Sequence, residues 1–181
     1  PLLNDLSSLS LTLGRDFAVE RFEAGGTEAL DRAVIRPPRS TEQLLHPERY
    51  AAGDEPVPLP PYEVDLDRTW ILTQTDTLGE ALMGLTVVEW SNGDLKPDVV
   101  EGWGGDRLQV WQNDEGGTVA MWQAVWDTAP DAYRYYHALQ TMMPAPLIDG
   151  RLRGRTIPEP LPPGRYWVGS RGAVHLRQHG N

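Results

Sequence analysis

Cysteine is absent from the 181 residues, so disulfides and thiolate-ligated metals are excluded. Lysine occurs once, at Lys96, and the formal net charge is −10. This balance argues against nucleic-acid binding, because neutralising phosphates takes clustered Lys and Arg. No apolar run approaches the roughly 20 residues that a membrane-spanning helix needs, so we expect no membrane span. The chain does contain 40% hydrophobic residues, with seven Trp and six Tyr, and this composition predicts a packed core rather than disorder.

Composition changes twice along the chain and predicts three segments. Residues 1–52 carry helical patterns, residues 53–63 form a proline-rich connector, and residues 64–181 form an α+β domain. The connector is too rich in proline for a helix or a central strand. We therefore place the organisational boundary there.

Three local signals organise the helical segment. Residues 12–35 predict two helices separated by Gly25-Gly26, because a glycine pair can supply the left-handed conformation that ends a helix. Ser40 and Gln43 have the spacing of a capping box, which starts a short helix. That helix should end near His46, since Pro47 disfavours helical geometry in the residue before it.

The remaining segment mixes strands and helices. Thr77 and Glu80 have capping-box spacing at the start of a helix, and Asn113 to Gly117 predicts a hairpin loop. Consecutive strands imply antiparallel pairing, and segregated helices imply an α+β fold. We expect a helical N-terminal segment followed by an antiparallel sheet, with helices 77–90 and 128–143 packed on one face. The full predicted order is strand 68–74, helix 77–90, a short helix over 97–102, strands 107–112 and 118–126, helix 128–143, and strands 165–168 and 173–177.

His46 is the first candidate functional residue. Glu42 precedes it by four positions, Glu48 follows by two, and Arg49 comes next. Such a group could contribute to a metal site or supply a general base. The alternative is that His46 and Glu42 cap a short helix before a proline turn. We favour this structural alternative, because a zinc site normally takes three protein ligands. We therefore predict no metal site and no catalytic residue in this chain.

A glycine-rich loop, Gly102 to Arg107, is the second candidate. Its glycines permit close backbone approach and could cradle an anion, but the loop lacks the Lys-Ser/Thr of a phosphate loop and the spacing of a dinucleotide fingerprint. The favoured alternative is a tight helix-to-strand corner in which Trp103 fills the core while Asp106 and Arg107 fix the turn.

Other chemistry-bearing residues carry weaker signals. His175 and His179 would lie about 13 Å apart on a strand, too far for one metal. Trp111, Trp122 and Trp126 could form an aromatic face, although residues of this kind are more often core.

Two blocks of sequence carry a resemblance to a known family. They are Pro37 to Tyr50 (Pro-Pro-Arg-Ser-Thr-Glu-Gln-Leu-Leu-His-Pro-Glu-Arg-Tyr) and Gly102 to Arg107 (Gly-Trp-Gly-Gly-Asp-Arg). Together they resemble the C-terminal half of bacterial zincin-like zinc metallopeptidases. In that family, zinc is expected on two histidines of a His-Glu-x-x-His helix and an acidic residue on a later helix. This chain contains no His-Glu-x-x-His, so the resemblance implies zinc only in an N-terminal half that this chain lacks.

The resemblance implies a non-catalytic C-terminal portion with a structural or substrate-cleft role. The alternative is a free-standing, metal-free binding or scaffold module derived from such an enzyme. Expected partners are an N-terminal metallopeptidase fragment, or a second copy through the leucine-rich N-terminus. We expect this N-terminal stretch to present an apolar surface to a partner, because it contains Leu2, Leu3, Leu6, Leu9, Leu11 and Phe17. The alternative is that it folds back on the α+β domain of the same chain.

Overall fold

The structure of the chain, a computed structural model, describes residues 2–63, 65–142, 165–168 and 173–177, and describes side chains for 8–63, 65–142 and 175–177. The predicted α+β class is confirmed. Within the described residues no helix is both long and apolar enough to cross a membrane. The elements are α1 (Leu2–Ile35), α2 (Thr41–Leu45), α3 (Pro47–Ala52), β1 (Ile71–Asp76), α4 (Gly79–Trp90), a 3-10 turn (Pro97–Val100), β2 (Trp103–Gln112), β3 (Thr118–Trp126), α5 (Ala129–Met142), β4 (Arg165–Val168) and β5 (Ala173–Leu176).

The strands form two sheets, whereas the sequence predicted one. The first has the order β1-β2-β3, and the second is the antiparallel pair β4-β5. The β1–β2 register runs from Ile71 opposite Gln112 to Asp76 opposite Leu108 and is interrupted at Thr73. The prediction of a single sheet was wrong because alternation of hydrophobic residues identifies a strand but does not determine which strand it pairs with. The predicted turn at 169–172 lies outside the described residues.

Helix α1 is interrupted where the sequence predicted. Gly25 and Gly26 leave helical geometry, with φ/ψ of −170°/24° and 62°/−153°. The positive φ at Gly26 belongs to the left-handed half of conformational space, which side chains with a Cβ rarely enter. The two helical stretches of α1 are therefore joined by a kink that depends on glycine.

The short helices follow the predicted cap, with one difference. The Ser40 hydroxyl accepts a hydrogen bond from the backbone N–H of Gln43 (3.2 Å), which begins α2. The Gln43 side chain does not return to Ser40; its Oε1 accepts from the N–H of Arg39 (2.7 Å). Helix α2 ends at His46, as Pro47 predicted, and α3 ends at Gly53 in the left-handed conformation.

The described chain divides into two compact units, Pro1–Leu82 with Trp103–Val125, and Met83–Gly102 with Trp126–Asn181. In the first unit Phe17 is 6% exposed and lies edge-on to Tyr50, with ring centroids 5.0 Å apart. Its predicted exposure at an interface is wrong, because α3 brings Tyr50 to it. Leu11 is 76% exposed. The predicted three-segment division stays a prediction.

In the second unit a buried apolar cluster involves α4, α5 and the 3-10 turn. Gly84 permits the close approach of the turn, since a Cβ there would lie 3.1 Å from the Cβ of Pro97. Tyr135 on α5 stacks at a tilt against Trp126, with ring centroids 4.8 Å apart. The buried apolar residues of this unit are Met83, Val87, Val100, Tyr135, Ala138, Leu139 and Met142.

The two phenylalanines of the chain provide a matched stability test. Phe17→Ala should lower the free energy of unfolding by about 3 kcal/mol, because it removes a buried ring. Phe22 lies on the same helix and is 52% exposed, so Phe22→Ala should cost roughly 0.5 kcal/mol or less. Urea unfolding measures both variants. Equal losses would show that the Phe17–Tyr50 contact does not hold α1 in place.

Candidate functional site

The carboxylate of Asp106 is the centre of the candidate site. Asp106 is 5% exposed and accepts hydrogen bonds from four N–H groups. Its Oδ1 accepts from the backbone of Gly79 (2.8 Å) and the indole of Trp103 (3.1 Å). Its Oδ2 accepts from the backbone of Leu78 (2.9 Å) and the indole of Trp122 (3.1 Å). Two donors on each oxygen satisfy a buried charge that would otherwise be costly.

These bonds cap the N-terminus of α4. The first N–H groups of a helix have no partner inside the helix. Here Asp106 takes those of Leu78 and Gly79, and the hydroxyl of Thr41 accepts from the N–H of Ala81 (3.2 Å). Gly79 has φ of 72°, and a Cβ there would lie 2.5 Å from the Thr41 hydroxyl. Glycine is therefore required for α2 and α4 to approach this closely.

The predicted Thr77–Glu80 capping box does not form. The Thr77 hydroxyl donates to the backbone carbonyl of Asp106 (3.3 Å). Glu80 extends to the imidazole of His46, where Oε1 lies 3.0 Å from Nε2. Residues distant in the sequence thus replace the local cap.

His46 lies between two carboxylates. Glu80 is 2% exposed, whereas Glu48, whose Oε1 is 3.7 Å from His46 Nδ1, has a side chain that is 74% exposed. Both contacts become ion pairs when His46 is protonated. The His46–Glu80 contact links the junction of α2 and α3 to the first turn of α4.

Arg49 organises the other acids of this cluster. Its Nη1 lies 2.7 Å from Asp54 Oδ2 and 3.4 Å from Oε1 of the buried Glu42. The backbone carbonyl of Glu42 accepts from the N–H of His46 (2.7 Å). Glu42, His46, Glu48 and Arg49 therefore lie close together, and their contacts join α2, α3 and the connector.

A groove of about 480 Å³ lies beside the Asp106 cap. The connector forms one of its walls: the N–H of Val57 donates to the carbonyl of Gly104 (2.7 Å), and Arg107 Nε donates to the carbonyl of Leu59 (2.7 Å). A Cβ at Gly105 would lie 2.5 Å from the Val57 carbonyl oxygen, so glycine permits this approach. The lining residues come from the α2 start, the connector, the α4 start and β2: Arg39, Ser40, Thr41, Pro56, Val57, Pro58, Leu59, Thr77, Leu78, Gly79, Trp103, Gly105, Asp106 and Arg107.

Sequence reasoning missed Glu80, Thr41 and Asp54. Glu80 matched a local capping pattern, which supplied a sufficient explanation and hid its contact with His46. The remaining histidines and Trp111 have the following surroundings. His137 contacts the ring of Tyr133 (centroids 5.3 Å apart), and His175 is exposed. His179 lies outside the described residues, and Trp111 is half-buried on β2.

Two ionisable groups away from the groove have shifted pKa values. Hydrogen bonds from the side chain and the backbone N–H of Thr69 lower the pKa of Asp67. A side-chain hydrogen bond to Glu20 raises the pKa of Arg21, whose guanidinium also lies 5.6 Å from the ring centroid of Tyr50.

Comparison with known proteins places the chain in one family. A family model described as "Domain of unknown function (DUF8575)" matches residues 68–181, and the chain belongs to this family. The match includes the Gly102–Arg107 block but not the Pro37–Tyr50 block. The block was expected to be a loop, but all of it after Gly102 belongs to β2. Searches of curated proteins and of solved structures found no match. The family description assigns no activity and makes no link to zincin-like metallopeptidases.

Replacing the central carboxylate tests the cap. Asp106→Asn should lower the free energy of unfolding by about 3 kcal/mol, because an amide turns its own N–H groups toward two of the four donors and leaves them unsatisfied. The control is Asp114→Asn in the exposed β2–β3 loop, which should cost roughly 0.5 kcal/mol or less. Urea unfolding gives both values. Equal stability of the two variants would contradict the role of Asp106 as the cap of α4.

Gly105→Ala tests the close packing of the connector at Val57 against β2 at Gly105. The added methyl group meets backbone at Val57, so the variant should lose about 1–3 kcal/mol and open the connector to protease. Gly116→Ala is the control, because Gly116 has φ of 80° and nothing within 4 Å of an added Cβ. Gly116→Ala therefore measures only the cost of placing alanine at a positive φ, without a steric clash. Identical urea midpoints and connector cleavage rates in the two variants would refute the close approach.

Proposed function

We propose that this chain is the non-catalytic C-terminal portion of a zincin-like metallopeptidase, in which it forms a wall of the substrate cleft. The proposal that the chain is non-catalytic rests on the hydrogen bonds that Asp106 accepts. A general base or a metal ligand needs an oxygen lone pair directed at a proton or a metal. Both Asp106 oxygens already accept two N–H groups each.

The histidine cluster supports the same conclusion. His46 Nε2 lies 3.0 Å from Glu80, and Arg49 is engaged by Glu42 and Asp54. These contacts fasten α2, α3 and the connector around the start of α4. The side chains of this cluster are therefore engaged in holding structural elements together.

The cleft role follows from the groove itself. Its volume of about 480 Å³ falls in the range of ligand-binding pockets, roughly 300–1,000 Å³. The zincin part of the proposal rests on the Pro37–Tyr50 and Gly102–Arg107 blocks of sequence. The alternative, a free-standing and metal-free binding or scaffold module, uses the same groove without a catalytic partner.

The coding sequence upstream of Pro1 separates these two functions. We expect it to encode, in the same frame, a helix with His-Glu-x-x-His. Its presence would support the metallopeptidase portion, and co-expression of that segment should then yield a complex with the present chain. An upstream sequence without the motif would reject the zincin proposal and favour the free-standing module.

The metal content of the chain is a second test. After dialysis, the isolated chain should hold far less than one zinc per chain, because in the described residues the ligand atoms of His46, Glu42 and Glu48 do not form a compact three-ligand group. Elemental analysis measures the zinc content, with His46→Ala as the matched control. About one zinc per chain, lost in the His46→Ala variant, would overturn the non-catalytic assignment and identify His46 as a ligand.

A further inference from the structure

Arg107 is a charged group in the groove with hydrogen-bonding capacity left over. It is half-buried on β2, and its Nε donates to the carbonyl of Leu59, another lining residue. In the part of the chain that the structure describes, its guanidinium makes no other hydrogen bond or ion pair. The bond to Leu59 orients the planar guanidinium, whose two terminal nitrogens remain as donors in the fork geometry that suits an oxyanion.

The balance of charge around this groove differs from that of the chain. The formal net charge of the chain is −10. In the groove the acid is Asp106, and its four hydrogen bonds occupy both oxygens. Arg39 also lines the groove, with Nε 3.2 Å from the exposed Glu55. The unneutralised charge in the groove is therefore the positive charge of Arg107.

The lining of the groove is mixed, with polar side chains such as Ser40 and Thr77 and an apolar stretch contributed by the connector. Pro56, Val57, Pro58 and Leu59 run along the connector wall, and Leu78 stands at the start of α4. Proline has no backbone N–H, so this wall offers contact area more than hydrogen bonds. An apolar wall beside one oriented cation suits a ligand with aliphatic side chains flanking a carboxylate, and the volume exceeds what a lone anion fills.

We propose that the groove binds an extended acidic peptide segment of another protein, with a Glu or Asp side chain of that segment paired to Arg107. A carboxylate accepts two parallel hydrogen bonds from a guanidinium, an arrangement stronger than a neutral hydrogen bond. The aliphatic neighbours of the acidic residue lie on the connector prolines. This inference names the ligand class of the proposed cleft and so rests on that function; peptide binding and the upstream coding sequence are measured independently, so either can fail alone.

The test uses two fluorescent hexapeptides with blocked termini, Ala-Leu-Glu-Leu-Pro-Ala and the same sequence with Gln in place of Glu. Titrated with the full chain and followed by fluorescence anisotropy, the Glu peptide should bind about tenfold more tightly, because the pair is charge-assisted. Arg107→Gln should remove this tenfold preference. Arg107→Lys keeps the charge without the fork and should retain part of it.

The control variant is Arg68→Gln, which removes an exposed arginine outside the groove lining and should leave the preference unchanged. Urea unfolding checks that each variant is folded, and the Glu/Gln comparison on the unaltered chain stays decisive if Arg107→Gln does not fold. Equal binding of the two peptides, or a preference that survives in Arg107→Gln, would overturn the proposal. Displacement of the Glu peptide by inorganic phosphate at equal affinity would also overturn it, since the site would then recognise small anions alone.

Discussion

The buried carboxylate of Asp106 is the interaction on which the first compact unit depends. An isolated buried charge costs several kcal/mol, and a buried helix N-terminus such as that of α4 has unsatisfied backbone donors unless a side chain caps it. Here the buried carboxylate and the unpaired backbone donors satisfy each other, because the N–H groups of Leu78 and Gly79 donate to the Asp106 carboxylate at 2.9 and 2.8 Å. The positive end of the helix dipole adds to the attraction. The indoles of Trp103 and Trp122 complete the set of donors and tie both strands of the hairpin to the same group.

The position of the groove is a consequence of this cap. Asp106 fixes where α4 begins, and the first turn of α4 then receives Thr41 from α2 and His46 from the junction with α3. The short helices in turn hold the connector, since the Gln43 side chain donates to the carbonyl of Asp54. The connector therefore reaches β2 in a defined register, with Val57 against Gly104.

Local signals predicted local structure well and failed where a distant side chain competed. The break at Gly25-Gly26, the Ser40 cap and the end of α2 at Pro47 each depend on neighbours along the chain, and all three were predictable. The capping box at Thr77 and Glu80 was a sound local inference, but Asp106 and Thr41 offer better-placed acceptors that only the fold brings near. The same limit explains the sheets: β4 and β5 were predicted within a residue of their bounds, whereas their separation from β1-β2-β3 could not be predicted from alternation alone.

At the candidate site, the types of residue in the sequence indicate where ionisable side chains gather but not whether each one has a structural or a chemical role. Glu42, His46, Arg49 and Asp106 are the groups that enzymes use, and they do gather near one helix start. The number of hydrogen bonds that each group already makes distinguishes structural groups from groups that can still bind a ligand. A carboxylate with two donors on each oxygen has little capacity left for proton transfer, whereas a guanidinium held by one bond to Leu59 keeps four N–H donors. By this criterion Asp106 serves as the cap of α4, and Arg107 is a group of the groove that keeps hydrogen-bond donors for a ligand.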